Sequence, residues 1–123
     1  MDDFRNTLDT LSLNFGGEMI GPADARFDDA RSVWNAMIDR RPALIAQCRS
    51  VGDVQTTVKL AVARDLPIAI RGGGHNVAGH AVCDGGVMID LSLMRGVTVD
   101  ASARVAKVQG GALWRDVDAA TQQ

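Results

Sequence analysis

The sequence predicts an α/β (α+β) fold: a small parallel β-sheet flanked by helices, followed by an antiparallel hairpin and one more helix. Three observations predict it. Ala43-Leu44-Ile45-Ala46 and Pro67-Ile68-Ala69-Ile70 are short apolar runs separated by a helical pattern. Together they make a βαβ unit, whose strands should be parallel with a right-handed crossover. Val87 to Leu91 is a third such run and joins the same sheet. Val97 to Asp100 and Arg104 to Val108 alternate and are rich in β-branched residues, which is the pattern of an antiparallel hairpin.

In chain order, Phe4, Leu8 and Leu11 form the stripe of a short amphipathic helix over residues 3–13, with Asp2 or Asp3 as its cap. Asn14 to Gly17 and Gly21-Pro22 are turn signals. From Asp28, the residues Ala30, Val33, Trp34 and Met37 share one helical face, acidic residues lie at the start, and Arg40 and Arg41 lie at the end. Pro42 stops that helix. After the first strand, Ser50 and Asp53 have capping-box spacing, and Val54, Val58, Leu60, Ala61 and Val62 supply an apolar face up to Arg64. Gly110-Gly111 breaks the hairpin, and a helix through Leu113, Trp114, Val117 and Ala120 runs into the C-terminus. Trp34 and Trp114 both fall on apolar faces and read as core residues.

The chain has 123 residues, enough for at most one domain burying roughly 65 % of its unfolded surface. Thirteen basic and fifteen acidic residues leave a net charge of -2, and no basic stripe interleaves with aromatics, which argues against nucleic acid as a partner. No apolar run reaches membrane-span length, and the acidic N-terminus does not resemble a secretory signal. Cys48 and Cys83 are too few for a disulfide scaffold and fit a reducing, cytoplasmic compartment, where they read as small buried hydrophobes.

The stretch Arg71 to Gly86, RGGGHNVAGHAVCDGG, holds three consecutive glycines, the two histidines and one of the two cysteines. Successive glycines can aim backbone N–H groups into one concavity suited to an anion such as pyrophosphate. Arg71 adds a permanent positive charge at the lip. Gly72, Gly73 and Gly74 do not match the G-x-G-x-x-G spacing of a dinucleotide fingerprint, and no Lys-Ser or Lys-Thr follows as in a phosphate-binding P-loop. His75, His80, Cys83 and Asp84 are a candidate metal set, but their separations match no recognised zinc spacing. Asp90 reads as a strand-end carboxylate that accepts from backbone N–H groups.

The run RGGGHNVAGHAVCDGGVMIDLS resembles the N-terminal FAD-binding segment of berberine-bridge-enzyme-like oxidases, in the vanillyl-alcohol oxidase and p-cresol methylhydroxylase (PCMH) superfamily. VWNAMIDRRPALIAQC upstream and VTVDASARVAKVQGGALWRDVD downstream are similar to the same family, so the likeness covers roughly residues 17–123. The resemblance implies a PCMH-type FAD-binding subdomain followed by the opening hairpin and helix of a second subdomain. Residues 1–35 would then be an N-terminal helical segment and 36–123 a partial FAD-binding domain. It implies that Arg71, Gly72, Gly73, Gly74, Asn76 and Gly79 bind FAD, and that His75 is bonded to the 8α-methyl carbon of the isoalloxazine. A neutral imidazole nitrogen is a competent nucleophile for that bond.

Members of the family are several times longer, with a substrate domain holding the catalytic base. The matching portion carries no catalytic residue, and the chain alone is expected to be inactive. Some members have a second covalent link through a cysteine, a position that neither Cys48 nor Cys83 matches. The expected partner is FAD, with self-association through the uncovered flavin-site face, as part of an oxidoreductase for alcohol, sugar-like or amine substrates; the alternative is a truncated, non-catalytic remnant or interaction module that does not bind flavin alone.

Overall fold

In the computed structural model, the described residues are Asn6, Asp9, Thr10 and 14–123. The expected stripe Phe4, Leu8 and Leu11, with its cap, lies outside them. The elements are β1 (Glu18–Ile20), α1 (Phe27–Arg31), β2 (Leu44–Gln47), α2 (Val51–Ala63), β3 (Ile68–Arg71), β4 (Val87–Asp90), β5 (Val97–Asp100), β6 (Val105–Val108) and α3 (Trp114–Thr121). β1, β2, β4 and β3 form one sheet in that order, and β5 and β6 form a second.

The predicted βαβ unit is present: β2 and β3 both run parallel to β4. They are not neighbours, because β4 lies between them and every one of its residues is buried. The chain β2–α2–β3 therefore leaves one strand's width open, and the third apolar run fills it. Leu44, Ala46, Val87 and Ile89 pack with Cys48, Leu60, Ala61, Met94 and Phe15 in one core cluster. Ile45 and Met88 point the other way, onto Ile20, Phe27 and Val82. β1 was not foreseen. Its three residues lie between two turn signals, too few to show an alternation, and pair antiparallel with the free edge of β2.

Helix α2 begins as the sequence predicts, with the Ser50 hydroxyl accepting from Asp53 N (3.1 Å). The Asp53 carboxylate accepts from Arg49 N and from Gly16 N, each at 2.9 Å, and so fastens the turn before β1 to this helix end. The buried face is Asp53, Thr57, Leu60 and Ala61, with Val54 beside it. Val58 and Val62 are exposed, which corrects the expected face: both sit one position away from the stripe that meets the sheet.

The helix expected to run from Asp28 toward Arg41 ends at Arg31. Ser32 turns extended, its hydroxyl donating to the Asp28 carbonyl, and Asn35 Oδ1 accepts from Met37 N in a local turn. Trp34 and Met37 face solvent rather than the core. The segment 34–41 uses its polar groups on the glycine-rich loop instead, as described below. The hairpin β5–β6 forms as expected, with Val97 opposite Val108. Helix α3 starts at Trp114, which is also exposed, and none of its residues is buried.

Candidate cofactor site

Arg71 and Asp90 are register partners on parallel strands, so the loops leaving β3 and β4 start side by side. Open α/β sheets bind ligands at this carboxyl edge. Leu91 N donates to Arg71 O at 2.9 Å and holds the two loop origins together. The Asp90 carboxylate accepts from Ser92 N (2.9 Å) and Gln47 Nε2 (3.3 Å), the strand-end role expected of it.

The glycines are required by space and by backbone angle. A Cβ on Gly72 would lie 2.6 Å from the Gly110 carbonyl oxygen, so the loop runs directly against the Gly110-Gly111 turn. Gly74 has φ +74° and Gly79 has φ +79°, both in the left-handed region. Arg71 is not at the lip: its guanidinium is folded beneath Gly74, where a Cβ would come within 3.1 Å of Nε. Its Nη1 donates to Ala30 O (2.8 Å), while its buried Nε has no partner among the described residues.

The segment 34–41 forms the bed of this loop. Trp34 N donates to Gly74 O (2.9 Å), Asn35 Nδ2 to Val77 O (3.0 Å) and Arg40 Nη1 to Gly79 O (2.7 Å). Arg41 N donates to Asp84 Oδ1 (2.8 Å), and Ile38 fills the space where Gly79 lacks a side chain. His75 is exposed, with its ring stacked on Trp34. Asn76 shapes the loop from within, accepting from Gly79 N through its carbonyl and from His80 N through its side chain.

A cleft of about 160 Å³ opens between Arg71, Gly72, Gly73, Ser92, Arg95, Gly111 and Leu113. Three of the seven expected site residues therefore meet in one place. Gly74, Asn76 and Gly79 set the loop's course, and His75 stands beside Trp34. Ser92, Arg95, Gly111 and Leu113 were not foreseen as site residues. The available signal was positional, since Ser92 and Arg95 follow the next parallel strand and must share its carboxyl edge. Arg95 forms a two-pronged pair with Asp116 (Nε–Oδ2 3.0 Å, Nη2–Oδ1 2.8 Å), which ties α3 to the cleft. Arg95, and then the Leu113 N–H, hold the Asp116 carboxyl below its ordinary range.

The other expected ligands do not converge. Cys83 Sγ is half-buried near the Pro67 and Val87 carbonyls, and the Asp84 side chain is bound to Arg41 N. Among the described residues no group of three His, Cys, Asp or Glu side chains could hold a metal ion. No helix among them is long and apolar enough to cross a membrane.

A cleft lined by three glycines with Arg71, Arg95 and Ser92 has the composition of an anion site. Fold and site thus define a domain for a phosphate-bearing cofactor. The family described as FAD binding domain matches residues 42–123, and the chain belongs to it.

The relatives it resembles include FAD-linked oxidoreductases. It is 40% identical over 105 residues to the (R)-6-hydroxynicotine oxidase of Paenarthrobacter nicotinovorans, matching 85% of this chain and 23% of that protein. It is 38% identical over 108 residues to the FAD-linked oxidoreductase hasG of Aspergillus fumigatus, matching 88% of this chain and again 23% of the relative. The chain thus spans about a quarter of the length of these relatives.

Among solved structures, 6-hydroxy-D-nicotine oxidase from Arthrobacter nicotinovorans superposes with a TM-score of 0.77 at 40% identity, over 80% of this chain and 22% of that one. The glucooligosaccharide oxidase of Acremonium strictum, which carries a 6-S-cysteinyl, 8α-N1-histidyl FAD, superposes with a TM-score of 0.75 at 30% identity, over 86% and 22%.

Proposed function

We propose that residues 36–123 are the FAD-holding portion of an FAD-linked oxidoreductase for alcohol, sugar-like or amine substrates, with His75 as its covalent flavin anchor. Arg71, Gly72, Gly73, Gly74 and Asn76 hold the pyrophosphate, with Gly79 among the cofactor-binding residues: the glycines bring backbone N–H groups close, and Arg71 supplies charge from beneath. Ser92 and Arg95 line the opposite wall. When bound, the flavin supplies the hydride-accepting chemistry, while the protein supplies position and electrostatics.

The observation that carries this reading is the state of His75. Its imidazole is exposed at the end of the glycine loop, and no hydrogen bond among the described residues engages either ring nitrogen. Both nitrogens of the imidazole are thereby open to a ligand, the unprotonated one as a nucleophile. The 8α-histidyl FAD of the Acremonium strictum oxidase supports the same assignment.

The test is the absorbance spectrum of the purified chain after incubation with FAD, taken before and after acid precipitation. Flavin bands should stay with the pellet and be lost in His75→Ala. Flavin released to the supernatant would remove the covalent link but keep the cradle. A colourless protein indifferent to added FAD would sink the reading.

One observation favours a second property, self-association. Val99 and Val108, on one face of the hairpin, and Trp114 of α3 are exposed. Such a patch invites a second copy. Sedimentation at increasing concentration should show dimers or larger species, and a monomer throughout would exclude them. Two free cysteines fit action in the reducing cytoplasm.

A further inference from the structure

Trp34 is an anomaly as an apolar residue: it is 69% exposed, yet its backbone and its ring are both committed to the glycine loop. Its N–H donates to Gly74 O at 2.9 Å, the carbonyl just before His75. Its indole stacks on the His75 imidazole, with centroids 5.9 Å apart and planes 26° from parallel. Gly73 leaves room for the imidazole, since a Cβ there would stand 3.2 Å from His75 Cδ2. With neither ring nitrogen hydrogen-bonded among the described residues, the Trp34 indole is the ring's stacking partner.

We propose that Trp34 is a positioning residue that holds the His75 imidazole, by stacking, in the orientation from which it bonds to flavin. This rests on the reading of His75 as flavin anchor. In that step an imidazole nitrogen bonds to the 8α carbon while one N–H and one 8α C–H bond break. Two electrons and two protons pass to the flavin, and O₂ takes them up to leave as H₂O₂. Stacking suits the task because it fixes the plane of the ring and leaves both nitrogens free, as a hydrogen bond could not.

The full chain is compared as wild type, Trp34→Leu and Trp34→Phe. Without flavin, the His75 ring protons should resonate upfield in the NMR spectrum under the indole ring current. They should return toward their ordinary positions in Trp34→Leu and stay partly shifted in Trp34→Phe. Acid-stable flavin should then accumulate about tenfold more slowly in Trp34→Leu, the scale produced by misplacing a reacting group by less than an ångström. Reversible FAD binding should change less than about twofold, because the phosphate cradle is intact, and Trp34→Phe should recover most of the rate by retaining a stacking face.

Equal rates in wild type and Trp34→Leu, or His75 protons that do not move, would overturn the role of Trp34 alone. Absence of acid-stable flavin in the wild type, or its persistence in His75→Ala, would overturn the anchor reading and this inference together. If Trp34→Leu fails to fold, the Trp34→Phe and Trp34→Met pair decides. Equal rates in these two would overturn the proposal, and a slower Trp34→Met would support it.

Discussion

Arg71 and Gly74 are packed as one unit: the Arg71 guanidinium lies beneath Gly74, whose φ of +74° turns the loop over it. The cation and the backbone that it underlies are three positions apart in sequence, so charge and cradle are built by one short segment. The same guanidinium reaches the Ala30 carbonyl, which couples the loop to the end of α1.

The close approaches around the cleft set the order of glycine tolerance. Gly72→Ala must push back the Gly110 carbonyl, and Gly111→Ala meets the Leu91 carbonyl oxygen at 1.7 Å. Both should lower stability in urea titrations by about 1–3 kcal/mol, with Gly111→Ala the worse. Gly85→Ala meets no atom within 4 Å and suffers only from its φ of +66°, so its loss should be about 1 kcal/mol.

Asp53 is nearly fully buried and accepts from the backbone of Gly16 and Arg49. Asp53→Ala leaves both donors without their carboxylate and should cost about 2–3 kcal/mol by chemical denaturation. Asp53→Asn keeps one acceptor oxygen and should fall between. Amide exchange at Gly16 and Arg49 should accelerate in both variants.

Two carboxylates give the protein an acid limb. The Arg26 side chain, hydrogen-bonded to Asp24, pulls that carboxyl from 3.8 down to about 2, and Arg95 lowers Asp116 in the same direction. A depressed folded value means the stabilisation is present above the unfolded value and lost as pH falls through the folded one. Thermal midpoints should therefore drop between about pH 4 and 2, and the double variant Asp24→Asn/Asp116→Asn should flatten that slope.

Burial, outweighing the opposing Thr57 hydrogen bond, raises the Cys48 thiol from 9.0 to about 11, and burial also raises Cys83. Iodoacetamide at pH 8 should leave Cys48 unmodified until the chain unfolds globally, with half-buried Cys83 reacting first. A raised folded value also means stability present below about pH 9 is lost as pH rises through about 11. Cys48→Ala should remove that alkaline decline.

Much of this was legible because it depends on local pattern. β2, β3 and β4 announce themselves as apolar runs, and Ser50 marks the start of α2. The hairpin shows its alternation, and RGGGH marks the loop at the sheet's edge. What escaped depends on partners distant in sequence. Trp34 and Met37 have helical spacing, yet Ser32 and Asn35 divert the chain, and the loop 40 residues later makes use of that diversion. β1 exists only because β2 offers an unpaired edge. Arg95 looks like any surface cation until Asp116 returns beside it.

The central place of β4 also dictates an order of assembly. β2, α2 and β3 emerge earlier in the chain, but each strand can make its parallel ladder only once Val87–Asp90 arrives between them. Until then the growing chain presents two strand edges facing a gap, with Ile45 and Ala46 on one side and Ala69 on the other. The glycine-rich loop is the tether that must swing β4 into that gap. Its turns at Gly74, Gly79 and Gly85 therefore serve the birth of the sheet before they serve any ligand.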